Sequence, residues 1–151
     1  MQVFVPYTDT RLTAKCLDYR RLGKQRVECL QILTAIDYLK KGEIRNPKTG
    51  RMRGWVSHPA TIAWQHNTEY LRWYGAQMCL EWRERGYKDT CLERFNAPLT
   101  EPTPPRWWGT EAIHLSHQAR LVQKDFNHYF VTFVETLPPN FMHLDYVWTT
   151  P

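Results

Sequence analysis

Arg20, Arg21, Lys24 and Glu28 are spaced to share one face of a helix. At ~100° per residue they span about a third of its circumference. Leu22, Cys29, Leu33 and Ile36 fall on the opposite side, where a core would take them. A carboxylate set among cations stays ionised. It can stabilise a developing positive charge or relay protons while the cations grip phosphates. The same spacing also fits a plain solvated face, with Lys24 and Glu28 as an ordinary i, i+4 pair.

Three further groups carry chemistry. His117, Arg120 and Lys124 share a helical face at i, i+3, i+7, and His114 lies one turn before His117. Two histidines at i, i+3 can bind a metal, but a third ligand would have to come from His58 or His66, so no metal and no cofactor is expected. Such imidazoles also serve as hydrogen-bonding groups, and the face can equally be solvated. Trp107 and Trp108 follow a run with four prolines in residues 98–105 and adjoin Arg106. They can wedge between or stack on unpaired bases, or anchor the core. The α-amine is a nucleophile when neutral, and Gln2 is bulky enough that Met1 is expected to be retained.

These side chains need helices to hold them. Asp9 or Thr10 can cap a short helix through Leu17. Asp18 can cap a long one to about Lys41, stopped by Gly42. Gly23 inside that helix costs ~1 kcal/mol against Ala, so either something approaches the backbone there or the helix absorbs the loss. Asn46 to Gly50 reads as a turn in a basic loop with Arg45, Lys48, Arg51 and Arg53 exposed. Ser57 can cap a helix with Pro59 in its first turn, running to about Arg85 before Gly86. Asp89 starts a short helix to about Phe95, Thr110 caps one to about Lys124, and Asp125 restarts one to about Val134. Met1 to Tyr7 reads as an extended start laid on the core. The aromatic tail from Pro138 reads as an extended segment over the surface. The expected fold is all-α: one domain over residues 1–151 with about three main helices, long connecting loops and an extended C-terminal tail.

Composition agrees with a globular chain and a polyanionic partner. In 151 residues, 20 Lys and Arg against 15 Asp and Glu leave a net charge of +5, which favours nucleic acid among partners. Seven Trp and eight Tyr suit either core filling or base stacking. No apolar run approaches ~18 residues and no signal peptide is visible, so a cytoplasmic protein off the membrane is expected. The four cysteines have no zinc or redox spacing and read as small core residues.

Three motifs in order match a known family. They are Tyr19-Arg20-Arg21-Leu22, Glu81 to Tyr87, and Ser116 to Leu121 followed by Lys124, with Tyr129 beyond. Together they resemble the pyrimidine-dimer DNA glycosylases of the phage endonuclease V type. The Asp18-to-Glu28 block and His58-Pro59-Ala60 are similar to a bacterial and phage branch of it. The resemblance implies a compact all-α fold and excision of a damaged pyrimidine from DNA. It also implies metal-independent cleavage at the abasic site through a Schiff base on the N-terminal amine. Carried over by position, Arg20, Arg120 and Lys124 match phosphate-gripping residues. Arg21 stands where the family has its glutamate, and Met1-Gln2 stands where the family exposes a small residue.

The expected function is therefore a DNA glycosylase acting on damaged or modified pyrimidines, with or without lyase activity. Met1 or Lys24 would be the amine and Glu28 the substitute carboxylate. Arg20, Arg21, Arg120 and Lys124 would hold phosphates, and His58, His114 and His117 would contact base or sugar. The partner would be double-stranded DNA with the target base flipped out and the gap filled by Trp107, Trp108 or Tyr19. The alternatives are a DNA- or nucleotide-binding module without chemistry on the same scaffold, and a metal-dependent hydrolase built on the three histidines.

Overall fold

Local capping sets most of the helix boundaries. In the computed structural model, which describes residues 3–148, Asp9 accepts from the Leu12 amide and opens α1 (Thr10–Cys16). Asp18 accepts from the Arg21 amide and opens α2 (Tyr19–Lys41), which ends on Gly42 at φ 72°. α3 (Pro59–Trp64) has Pro59 in its first turn, but its cap is His58, whose Nδ1 accepts from the Ala60 amide, and not Ser57. α4 (Thr68–Glu84), α5 (Glu111–Lys124) and α6 (Phe126–Phe133) follow, with 3-10 turns at Leu92–Phe95 and Phe141–His143.

The fold is all-α. Among the described residues β structure is limited to one isolated antiparallel bridge, Arg45 to Met52, which closes the basic loop. α2, α4 and α5 are the three longest helices. α2 packs on α4 and α3, α1 packs on α4, and α5 packs on α6. No helix among the described residues is long and apolar enough to cross a membrane.

Two expectations change. The helix predicted from residue 59 to 85 is broken at Gln65–Asn67. Asn67 leaves helical geometry (φ −134°) and serves as the start of α4, and the break turns Trp64 into the core. The tail is extended past Leu144, as predicted, but it does not stay on the surface. Trp148 is 4% exposed, edge-on to His117 at 4.6 Å and to Trp107 at 5.7 Å.

The N-terminal segment runs extended through the middle of this core, and Val3, Phe4 and Val5 are buried. It pairs with no strand, so helix side chains satisfy its backbone. The Gln25 amide accepts from the Phe4 N–H (2.8 Å) and donates to the Phe4 carbonyl (2.9 Å), which also accepts from the Tyr74 hydroxyl. His117 Nδ1 accepts from the Val5 N–H at 2.9 Å, His114 Nδ1 meets the Val5 carbonyl at 2.7 Å, and Gln118 donates to Pro6 at 2.9 Å. The four cysteines are free thiols. Burial raises Cys16 to about 12 and pushes Cys29 and Cys79 up, which leaves them as inert core groups.

Candidate active-site cleft

The first turns of α2 form the floor of a cleft of about 1110 Å³, closed by the end of α4 and by the α5–α6 junction. Arg20, Arg21, Lys24 and Glu28 all line it, as their helical spacing requires. Lys124 comes from the end of α5, and Asp125 and His128 follow it. The opposite face of α2 carries Leu22, Gln25, Cys29 and Ile36 into the core.

Glu28 is only 3% exposed, although it lines a cationic cleft. Lys124 is the most informative cation. Partial desolvation lowers its pKa, and the nearby charges of Arg21, Arg120 and Lys24 lower it further, while Glu28 opposes them. A lowered ammonium pKa raises the fraction of neutral amine. The positive end of α2 adds to the same field.

Arg21 is tethered. Its Nη1 lies 3.1 Å from Asp18 Oδ1 and 3.9 Å from Asp125 Oδ2, and its guanidinium sits over the Tyr129 ring at 5.8 Å. Tyr129 donates its hydroxyl hydrogen to Asp18 and accepts from the Asp18 N–H at 2.9 Å. Burial alone would raise the Asp18 pKa. The hydrogen bonds from Tyr129 and Arg21 outweigh it and hold the carboxyl below its ordinary value. Arg20, by contrast, is exposed and leans on Tyr19, with its Nε 3.0 Å from the Tyr19 hydroxyl. Arg85 donates to the carbonyls of Ala14, Lys15 and Leu17, which fixes the end of α1 against the cleft wall.

The other expected site residues lie elsewhere. Met1 falls outside the described residues. Arg120 is turned onto Tyr146 (5.5 Å to the ring) and bonds Gln123 at 3.3 Å, and it does not line the cleft, although its charge is among those that lower the Lys124 pKa. His114 and His117 do not form a polar face. They are 7% and 0% exposed, and every ring nitrogen meets backbone: His114 at Val5 and Gly109, His117 at Val5 and Val147. Their place as base or sugar contacts is corrected to one of holding the two chain ends in the core. His58 caps α3 and packs on Trp55 at 4.6 Å, away from the cleft. Trp107 and Trp108 are core anchors. Their indole N–H groups donate to Ala63 (2.9 Å) and Thr8 (3.1 Å), and their rings pack around Trp64 and Tyr70. Among the described residues no three His, Cys, Asp or Glu side chains cluster at a distance that would hold a metal ion.

Sequence reasoning missed the Asp18–Tyr129 pair and the cleft positions of Lys15, Asp125 and His128. Asp18 was legible as a cap, but its second partner lies 111 residues away.

No curated protein and no solved structure matches the chain. The family model for pyrimidine dimer DNA glycosylase matches residues 1–94, from the N-terminal segment through α4 and into the turn that follows it. Most of the cationic, carboxylate-bearing cleft on α2 lies inside that match, and the chain belongs to the pyrimidine dimer DNA glycosylase family.

Proposed function

We propose that residues 1–151 form one catalytic domain that excises a damaged or modified pyrimidine from double-stranded DNA and then cleaves at the resulting abasic site through an amine. The observation that carries this reading is the cleft itself: Glu28 buried beside Lys24 and Lys124 on a floor of Arg20 and Arg21. The arginines hold phosphates on either side of the flipped nucleotide. A neutral amine adds to the sugar C1′, and the glycosidic bond breaks with its electron pair leaving on the base, which takes up a proton. The amine then gives up a proton, and the ring oxygen leaves C1′ and is protonated, giving the Schiff base. Loss of a C2′ proton then moves electrons into a C2′–C3′ double bond and expels the 3′ phosphate, which breaks the strand. Glu28 stabilises the cationic sugar and moves these protons.

Lys15 also lines the cleft, but three amines are the candidates for the role: the two lysines beside Glu28, and the α-amine. Lys24 and Lys124 line the cleft. The α-amine belongs to Met1, three positions before Phe4 in the sequence, and Phe4 is another lining residue. Borohydride trapping on abasic and dimer-containing duplexes tests the reading. A covalent adduct is expected. Its loss in Lys24→Ala, in Lys124→Ala or on blocking the α-amine identifies the nucleophile. Glu28→Gln is expected to slow excision ~10²–10⁴-fold with DNA binding kept. Arg21 at the family's glutamate position favours a second reading, a DNA-binding module without chemistry. Salt-sensitive DNA binding with neither excision nor adduct would establish that reading and overturn the first.

A further inference from the structure

A second cavity, of about 580 Å³, lies between the later turns of α2 and the basic loop. It is within the size range of small-ligand sites. Gln31, Thr34 and Tyr38 of α2 form one wall, and Arg51, Trp55 and Arg94 face them. At ~100° per residue Gln31 and Tyr38 lie within about 20° of Arg20, so the cavity opens on the side of α2 that bears the cleft. Lys24 and Tyr38 are about 20 Å apart along the helix.

The lining sets two aromatic rings and three arginines around an otherwise mixed apolar and polar wall. Tyr38 is fixed by Arg53, whose guanidinium sits 3.8 Å from the ring centroid and whose Nε donates to the Glu43 carbonyl at 2.8 Å. That commits Arg53. Arg51 and Arg94 are exposed, and their guanidinium groups have no ion-pair partner among the described residues. Trp55 adopts φ 70°, a backbone conformation that a bulky residue rarely takes, and His58 packs against its ring at 4.6 Å. The Gln31 Oε1 is buried without a hydrogen-bond partner. Turning that amide toward the cavity would give the oxygen a donor on a ligand.

We propose that this cavity binds a nucleoside monophosphate unit, free or within a DNA strand, with its base against Tyr38 and Trp55 and its phosphate on Arg51 and Arg94. Gln31 reads the base edge through an exocyclic amine or ring N–H. The two arginines supply charge-assisted bonds that an uncharged nucleoside does not gain. The strand-borne form rests on the DNA reading above, and the free form does not.

Calorimetric titration with dAMP, deoxyadenosine and a short single-stranded oligonucleotide separates the sources. Saturable dAMP binding is expected, at least tenfold weaker for deoxyadenosine and in the double variant Arg51→Ala/Arg94→Ala, and unchanged in Lys124→Ala. Binding of the oligonucleotide alone, weakened by the same double variant, assigns the site to a strand. The inference is overturned if neither probe binds, or if binding survives the double variant and is lost in Lys124→Ala. Dimer excision from a duplex is scored in parallel. Excision without binding here overturns this inference and leaves the function standing. Binding here without excision or adduct overturns the function and leaves the free-nucleotide form standing.

Discussion

Gly23 shows how one position can oppose its own helix. In isolation Ala there gains ~1 kcal/mol of helix propensity. Here an added Cβ would lie 3.0 Å from the Trp82 ring, so the indole must move. Trp82 has little freedom to do so. It is stacked on Tyr87 at 4.2 Å, faces the Arg26 guanidinium at 4.5 Å, and donates to the Lys88 carbonyl at 3.0 Å. Arg26 is itself paired with Asp89, whose side chain is fully buried. Gly23→Ala is therefore expected to destabilise the protein by ~1–2 kcal/mol in denaturant titration, the overpacking cost exceeding the propensity gain. The same change in a Trp82→Leu background is expected to stabilise. An additive pair would show that the indole is not the obstacle.

At the scale of elements, the N-terminal segment is held like a strand by side chains of α2, α4 and α5. The Phe4 and Val5 amides, outside any regular element, are expected to exchange hydrogen about as slowly as the helix interiors. Gln25→Ala removes both bonds to Phe4 and strands a buried N–H. Losses of ~1 kcal/mol per bond plus the desolvation of that group put the cost at ~3–4 kcal/mol. Phe4 exchange should quicken by more than that of the α4 core. Uniform quickening would mean that the segment is not held chiefly through Gln25. This layout explains what the sequence could disclose. The caps at Asp9, Asp18, Gly42 and Asp125 were legible because each acts within a few residues of itself. The cleft face of α2 was legible for the same reason, through helical period alone. His114 and His117 were not. They have the spacing of a surface face, but their partners Val5 and Val147 lie at the two ends of the chain, about 110 and 30 residues away. The break at Gln65–Asn67 was hidden because apolar residues continue at helical spacing on both sides of it.

Over the whole molecule those two imidazoles make folding depend on pH. The Val5 N–H donates to His117 Nδ1, so Nε2 carries the hydrogen given to Val147, and the ring is held neutral. Burial pushes its pKa down to about 3, and His114 shifts the same way for the same reason. The unfolded chain binds a proton near ~6.5 that the folded one refuses. The stabilising contribution is therefore complete above that value and is withdrawn as pH falls from about 6.5 toward about 3. Each histidine adds a slope of up to ~1.4 kcal/mol per pH unit within its window. Asp18 and Asp89 are held below their ordinary carboxyl range. Their contribution, present above the unfolded carboxyl value, is lost only at lower pH still, as each passes its folded pKa. Unfolding free energy is thus expected to fall steadily from pH 7 to pH 5, before any of these carboxylates titrates. His117→Asn should be less stable at pH 7.5, because it loses the Val147 bond, yet flatter across pH 7–5. An unchanged slope in that variant would remove His117 as the source. The same protonation would loosen both chain ends at once, and Phe4 lines the cleft, so excision should decline over the same pH window as stability.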